Sequence, residues 1–307
     1  MSDSVPGSKF RLQTWFYLTD SIMTTRININ GLIEEDAVVS VLDHGFLFGD
    51  SIYEVVSTRG NRPCFLDDHL QRLRRSAEGI ALTLPHDDEW FCQQVAFTLE
   101  SAGNTESYIR IIVTRGIGEI DIDPSTCHSP CVLIFVTSAR IYPREWYENG
   151  IHLAVVNTKR NLKDALNPGI KTGNYLNNVL AKIESGRLGA QDALMLNSWG
   201  QLTESTTSNF FFVREGRILT PALDCGILAG ITRNTVIRLA EENGFLVEEG
   251  EWPVEALEKA DEMFLTGTVK QIMPVTRLDG KIIGDGKPGS ITRKLIHLYE
   301  NLLKGLS

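Results

Sequence analysis

Leu166–Lys182 reads LNPGIKTGNYLNNVLAK, a loop running into a helix. Pro168-Gly169 marks the loop. Leu176, Val179, Leu180 and Ile183 then recur at the spacing of one helical stripe. Lys171 stands at the junction, flanked by Ile170 and Thr172-Gly173 rather than by charges. A lysine in a partly desolvated place loses proton affinity and can serve as a Schiff-base nucleophile or a general base. The commoner fate of a lysine is to be solvated, and these residues alone leave both readings open.

Outward from this segment, Leu228–Gly244 reads LAGITRNTVIRLAEENG. Gly230 precedes an expected helix over Thr232–Asn243, which the Asn243-Gly244 pair ends. Its first backbone N–H groups and the Thr232 hydroxyl suit a phosphate, although every helix N-terminus offers something similar. Thr266-Gly267-Thr268, after the apolar strand Met263–Leu265, can add further donors.

Elsewhere the pattern predicts strands at Arg26–Asn30, Ala37–Leu42, Ile52–Thr58, Pro63–Phe65, Tyr108–Thr114 and Cys131–Thr137. Gly60-Asn61 suits a tight hairpin turn. Asp67/Asp68 can cap a helix carrying Leu70, Leu73, Ala77 and Ile80, and a second helix is expected over Asp88–Ala102. The pattern breaks at Ser138–Gly150, with Pro143 and Asn149-Gly150. Beyond it, strands at Ile151–Val156, Asp192–Leu196 and Asn209–Val213 alternate with helices near Asn174–Arg187 and Thr232–Asn243, and Ile291–Leu303 forms a last helix. The chain thus reads as α/β or mixed α+β in two parts. Residues 1–24 are an N-terminal extension, 25–138 the first domain, 139–150 a linker and 151–307 the second.

The chain has 307 residues, 42% hydrophobic and 22% charged, enough to bury a sizeable core. A net charge of −9 disfavours nucleic acid or an anionic membrane as a partner. The longest strongly apolar run, Val132–Val136, is far too short to span a bilayer, and Met1–Gly7 lacks the order of a signal peptide. Five cysteines do not make a disulfide framework. The expectation is a soluble, cytoplasmic protein. Gly284–Gly289 fits GxGxxG, but no second strand and acidic residue follow, so it reads as a surface turn. Cys127-His128 with Cys131 has no second ligand pair, and no metal site is expected. No GxSxG elbow occurs.

Several blocks together resemble the class IV, fold-type IV enzymes dependent on pyridoxal phosphate: DHGFLFGDSIYE (43–54), HLQRLRRSA (69–77), YIRIIVTRG (108–116), KTGNYLNNVLAK (171–182), TESTTSNFF (203–211), GITRNTVIRLA (230–240) and TGTVKQIMPV (266–275). They stand in the family's order and spacing over roughly residues 25 to 300. The resemblance implies a smaller N-terminal α/β domain, a larger C-terminal cofactor-binding domain with a β-barrel-like core, and a homodimer or higher homo-oligomer that completes the substrate pocket. It implies pyridoxal 5'-phosphate as cofactor. Lys171 then resembles the lysine that holds it and moves the substrate proton, and Glu204 the carboxylate facing the pyridine nitrogen. Tyr175 would bond the ring oxygen O3′, while Arg72, Ile231, Thr232 and Thr268 would bind the phosphate.

Tyr108 and Arg110, followed by GIGEIDIDP, resemble branched-chain aminotransferases. Ile120 and Ile122 stand where D-amino-acid enzymes carry an Arg-x-His pair. Tyr53-Glu54-Val55-Val56-Ser57 instead resembles the D-amino-acid or (R)-amine type. Phe48, Tyr53, Tyr108 and one or more of Arg59, Arg110 and Arg115 are the expected substrate contacts, the arginines being candidates for the carboxylate. The resemblance implies transfer of an amino group from an aliphatic, branched-chain type amino acid to a 2-oxo acid such as 2-oxoglutarate. The alternatives are a D-amino-acid or (R)-amine transaminase, or aminodeoxychorismate lyase.

Overall fold

A computed structural model describes residues 25–34 and 37–306; the expected extension, 1–24, lies outside the described residues. The first part of the chain forms β1 (Arg26–Ile29), β2 (Leu32–Glu34), α1 (His44–Leu47), β3 (Ser51–Arg59), β4 (Arg62–Pro63), α2 (Leu66–Gly79), α3 (Asp88–Ala102), β5 (Ser107–Thr114) and β6 (Cys131–Ser138). Its strands make one antiparallel sheet in the order β2-β1-β6-β5-β3-β4.

Alternation along the strands gives this sheet two different faces. Ile52 and Val56 join Ile109, Ile111, Val113, Val132, Ile134 and Val136 in a core under α2 and α3. Leu70, Leu73 and Ala77 of α2 and Phe91, Val95 and Leu99 of α3 cover it. Tyr53 and Val55 take the alternate positions on β3, and the other face is left for the cavity described below. The β3–β4 turn takes the expected hairpin geometry, with Gly60 and Asn61 both left-handed at φ 58 and 61.

After α4 (Arg144–Asn149), the chain forms β7 (Ile151–Val155), α5 (Leu176–Arg187), β8 (Asp192–Leu196), β9 (Leu202–Ser205), β10 (Asn209–Arg214), β11 (Arg217–Pro221), α6 (Ile231–Glu242), β12 (Val247–Gly250), β13 (Glu262–Gly267), β14 (Gln271–Leu278), β15 (Lys281–Ile282) and α7 (Ser290–Gly305). Strands β10-β13-β14-β7-β8-β9 form a ring, closed by the pairing of Glu204 on β9 with Asn209 on β10. This is a six-stranded barrel. Its interior holds Leu153, Leu194, Leu202, Phe210, Phe212, Leu265 and Met273, while Phe211, Val213 and Phe264 point outward beneath α6 and α7. The run Phe210–Phe212 is therefore apolar at every position because both faces of β10 are buried.

Two local expectations are corrected. Ala37–Leu42 is loop and turn rather than strand; Val38 and Val41 are 84% and 67% exposed, and β-branched residues favour strands only where a sheet receives them. Asp67 and Asp68 lie inside the first turn of α2 rather than capping it, since Phe65 holds the cap position in a left-handed conformation. There they still complement the helix dipole. On α5 the stripe Leu176, Val179, Leu180 and Ile183 faces outward, and Asn178, Ala181 and Ser185 are the buried face.

Candidate active site

A cavity of about 310 Å³ lies between the first sheet and the open end of the barrel. Tyr53 and Val55 of β3 enter it together with Tyr108 and Arg110 of β5. Val55 pairs with Arg110 and Ser57 with Tyr108, and directly opposed residues share a face of the sheet. From the barrel come the β9–β10 turn, the β13–β14 turn and the N-terminus of α6.

Lys171 is delivered by a backbone splice between the two parts. The Tyr53 N–H donates to the Lys171 carbonyl at 2.9 Å, the Gly173 N–H to the Ser51 carbonyl at 2.8 Å, and Thr172 bridges to Ile52. This short strand on β3 fixes the base of the side chain. Lys171 Nζ lies 3.2 Å from the Tyr53 hydroxyl and 3.5 Å from that of Tyr175. It makes no ion pair among the described residues, which leaves its nitrogen available for chemistry. Burial pushes the Tyr175 phenol up, but the Lys171 charge and a hydrogen bond from Tyr53 bring it below its ordinary value. Burial and the adjacent Tyr175 raise the Tyr53 phenol. Tyr175 is thus the better partner for a cation or a proton in flight.

Glu204 sits at the pair that closes the barrel. One oxygen accepts from Arg160 Nε at 3.1 Å and Nη2 at 3.0 Å; the other accepts from Asn209 Nδ2 and the Leu228 N–H, both at 3.1 Å. Burial pushes this carboxyl up, against the Arg160 charge and the Leu228 hydrogen bond that favour its ionised form. Four donors therefore converge on one buried carboxylate, an arrangement suited to a negative charge held in a fixed direction.

Arg72 reaches the cavity from the buried face of α2. Its Nε and Nη2 donate to the two oxygens of Glu54 at 2.7 and 2.8 Å, and its Nη1 to the Ala229 carbonyl at 2.9 Å. His69 Nδ1 stands 2.7 Å from the same carboxylate. Of the five guanidinium N–H groups, these bonds leave two for a ligand.

Next to Arg72 is the start of α6. Gly230 holds its cap position, where a Cβ would lie 2.0 Å from Asn209 Oδ1, so no capping side chain fits. The first N–H groups of the helix stay open to an anion. Ser208 Oγ and Thr266 Oγ1 are buried, make no hydrogen bond among the described residues, and line the same cavity. Buried hydroxyls are rarely left unpaired. With Arg72, Thr232 and Thr268 they form a donor set that fits a phosphate group.

The cavity brings together Arg72, Lys171, Tyr175, Glu204, Ile231, Thr232 and Thr268, and with them Tyr53, Tyr108 and Arg110. Three other expected substrate contacts do not line it. Arg115 is engaged by Asp50, through Nε at 2.8 Å and Nη2 at 3.0 Å, and by the carbonyls of Ala81 and Ile80. Arg59 ends β3, past the cavity-lining positions. Phe48 closes α1 and is 39% exposed on the outside of this chain. Arg140, Arg160, Asn209 and Lys270 also line the cavity, and sequence reasoning missed them.

Residues 51–278 match the family described as amino-transferase class IV. Over 279 residues the chain is 37% identical to a putative branched-chain-amino-acid aminotransferase of Methanocaldococcus jannaschii, covering 90% of this chain and 96% of that protein. It is 32% identical over 286 residues to a D-alanine aminotransferase of Staphylococcus epidermidis, covering 92% and 99%. Its fold is similar to the crystal structure of the branched-chain amino acid aminotransferase from Thermobaculum terrenum in its PLP-form, with a TM-score of 0.81, 30% identity, and coverage of 92% and 94%.

Proposed function

The chain belongs to the class IV aminotransferases, transaminases dependent on pyridoxal phosphate, and on that premise we propose its reaction. It moves the amino group of an aliphatic, branched-chain type amino acid to a 2-oxo acid such as 2-oxoglutarate. The observation that carries this reading is Lys171 Nζ, free of any ion pair among the described residues and held between two tyrosine hydroxyls, in one cavity with Glu204.

When bound, pyridoxal phosphate supplies a carbonyl carbon that captures amines and a ring that takes up electron density. Arg72, the α6 N-terminus, Thr232, Thr268, Ser208 and Thr266 would hold its phosphate. Lys171 Nζ would anchor the carbonyl end, with Tyr175 at the ring oxygen and Glu204 at the ring nitrogen. Arg160, Asn209 and the Leu228 N–H orient the Glu204 carboxylate, and the Arg160 charge and the Leu228 hydrogen bond favour its ionised form against the effect of burial. Freed by the incoming amine, Lys171 Nζ would take the proton from the substrate α-carbon and deliver it to the cofactor's carbonyl carbon, and it would carry a proton the opposite way when the 2-oxo acid is aminated. The Tyr53 and Tyr175 hydroxyls aim that nitrogen. Of Arg59, Arg110 and Arg115, only Arg110 lines the cavity, which supports it as the group that takes the substrate carboxylate.

Activity with a panel of donors under one acceptor, 2-oxoglutarate, tests the reading. L-leucine and L-valine are the expected donors. Turnover of D-alanine, D-glutamate or (R)-1-phenylethylamine alone would overturn it in favour of the second reading, a D-amino-acid or (R)-amine transaminase. One observation favours that alternative: Val55 projects into the cavity and occupies space.

The working unit proposed is a homodimer. Phe46 and Ile120 are 70% and 78% exposed, and their segments are joined by the Gly118 N–H to Leu42 carbonyl bond and by His44 against the Glu119 carbonyl. Val41 and Ile117, on the same two joined segments, are 67% and 57% exposed, and exposed apolar residues gathered in this way are of the kind that marks an interface. A second copy is the natural occupant of this apolar strip, since Phe48, an expected substrate contact, closes the helix that carries Phe46 and does not line this chain's own cavity. Among the described residues no helix is long and apolar enough to cross a membrane. All five cysteines are free, which supports a reducing compartment such as the cytoplasm.

A further inference from the structure

Arg233 is the third residue of α6, directly after Ile231 and Thr232. It is 2% exposed and does not line the cavity. Its Nη2 donates to the Pro221 carbonyl at 2.9 Å and pairs with the Glu249 carboxylate, while Nη1 reaches Asn234 Oδ1 at 3.4 Å. Pro221 ends β11, and Glu249 stands on β12, the strand paired with it. The guanidinium therefore ties the first turn of α6 to two strands at once. Its stem also backs the helix cap, since a Cβ on Gly230 would lie 3.3 Å from Arg233 Cβ.

For the fold alone this is a poor place for an arginine. A helix N-terminus carries partial positive charge, so acidic side chains are the stabilising ones there. Helices α2 and α3 follow that rule, with Asp67 and Asp68 in one first turn and Asp88 and Glu89 in the other. The first turn of α6 has no acidic residue and carries Arg233 instead. Nor is the guanidinium fully satisfied, because its Nε is buried and makes no hydrogen bond among the described residues. Its charge is offset only in part: the Glu249 side chain is 46% exposed, and water weakens its field. Buried polar groups without partners are rare and call for a reason. An anion at the start of α6 supplies one, because it brings negative charge to a turn that lacks it.

We propose that Arg233 is a positioning residue for the cofactor phosphate. It acts through the first turn of α6, aiming the Ile231 and Thr232 N–H groups by its grip on β11 and β12 and holding that turn short of negative charge until the phosphate arrives. This rests on the reading that places the phosphate at the start of α6. Arg72 touches the phosphate from the cavity side, and Arg233 supports it from behind the helix without contact.

The test compares two probes on the full chain, pyridoxal 5'-phosphate and pyridoxal, which share the ring and the carbonyl carbon and differ in the phosphate. The readout is the ratio of the Kd for pyridoxal to that for pyridoxal 5'-phosphate, measured by equilibrium dialysis and absorption. Arg233→Met keeps an unbranched stem but removes the charge and the clip, and the ratio is expected to fall about tenfold. Arg233→Lys, a charge without the fork, should lower it about threefold. A merely structural role weakens both probes together, so a ratio within about twofold of wild type in these variants overturns the proposal. Should Arg233→Met fail to fold, Arg233→Lys and the half-exposed Glu249→Gln carry the test. Glu249→Gln keeps an acceptor for Arg233 and removes the opposing charge, so the ratio should rise about twofold; a fall overturns the proposal. A wild-type chain that binds both probes equally would sink the phosphate reading of the α6 end, and the proposal with it. A wild-type preference for the phosphorylated probe that Arg233→Met leaves unmoved sinks the proposal alone.

Discussion

Glu54 and Arg72 face each other in a two-pronged ion pair, with Nε and Nη2 at 2.7 and 2.8 Å from the two carboxylate oxygens and both residues buried. They lie on adjacent elements, β3 and α2, so the pair locks the helix to the sheet and also sets the direction of the guanidinium edge that faces the cavity. Removing one partner strands the other charge without water. Glu54→Gln is expected to lose about 3 kcal/mol or more of stability, read by urea unfolding of the holoenzyme. It should also hold the cofactor less tightly, read by dialysis and visible absorption. Unchanged stability would show that Arg72 finds other partners.

The same pair makes stability depend on acid. Burial opposes ionisation of Glu54, yet the Arg72 charge and the hydrogen bonds from Arg72 and His69 bring the carboxyl from 4.5 down to about 2. Because the folded value is the lower one, the group stabilises the fold above about pH 4.5, and that contribution disappears as pH falls toward 2. It is worth about 3 kcal/mol. Other carboxylates titrate in the same window, so the informative quantity is the gap in unfolding free energy between wild type and Glu54→Gln. That gap should narrow as the pH falls from about 5 to about 2.5; a gap that is constant with pH contradicts the assignment.

For Lys171 the expectation is sharper. Lys171→Ala should lose the visible absorption of covalently held cofactor and fall about 1,000-fold or more in rate, with secondary structure intact. Lys171→Arg keeps a charge but cannot form the covalent link, and it should behave like the alanine variant. Full activity in either would remove Lys171 from the centre of the chemistry.

What the sequence reveals here follows the range of the interaction. Helix α3 is legible to the residue because its signals are local: Asp87 caps the first turn and Gly103 ends the last in a left-handed conformation. The hairpin at Gly60-Asn61 is legible for the same reason. Ala37–Leu42 misleads, since its valines and leucine look strand-like but no neighbouring strand pairs with them. In the site, Lys171, Glu204 and Arg72 are found through the resemblance of whole blocks, and their partners are not. Arg160 reaches Glu204 across 44 positions and Lys270 reaches Asp192 across 78. No periodicity marks which charged residue will meet a carboxylate that far away.

Arg160 offers a prediction in which stability and catalysis separate. Burial already raises the Glu204 carboxyl, and the Arg160 charge is the largest influence lowering it. Arg160→Met should raise it further, so that the ionised form is lost at a higher pH. The acid limb of the kcat profile is expected to move upward, with Arg160→Lys returning it part of the way. A structural role alone would reduce the amount of folded enzyme without moving the limb. An unmoved limb in Arg160→Met would therefore assign Arg160 to stability only.

The apolar strip around Phe46 tests the proposed assembly. Phe46 is 70% exposed, so replacing it costs the isolated fold little, whereas a charge at the centre of a desolvated interface opposes association strongly. Wild type is expected to sediment as a dimer, and Phe46→Asp as a monomer with near-native circular dichroism. If Phe48 contributes to the neighbouring subunit's cavity, the monomeric variant also loses activity, and this loss reverses at protein concentrations that restore the dimer. A wild-type protein that sediments as a monomer at every concentration while remaining active would show that one chain completes its own site, and the strip would need another occupant.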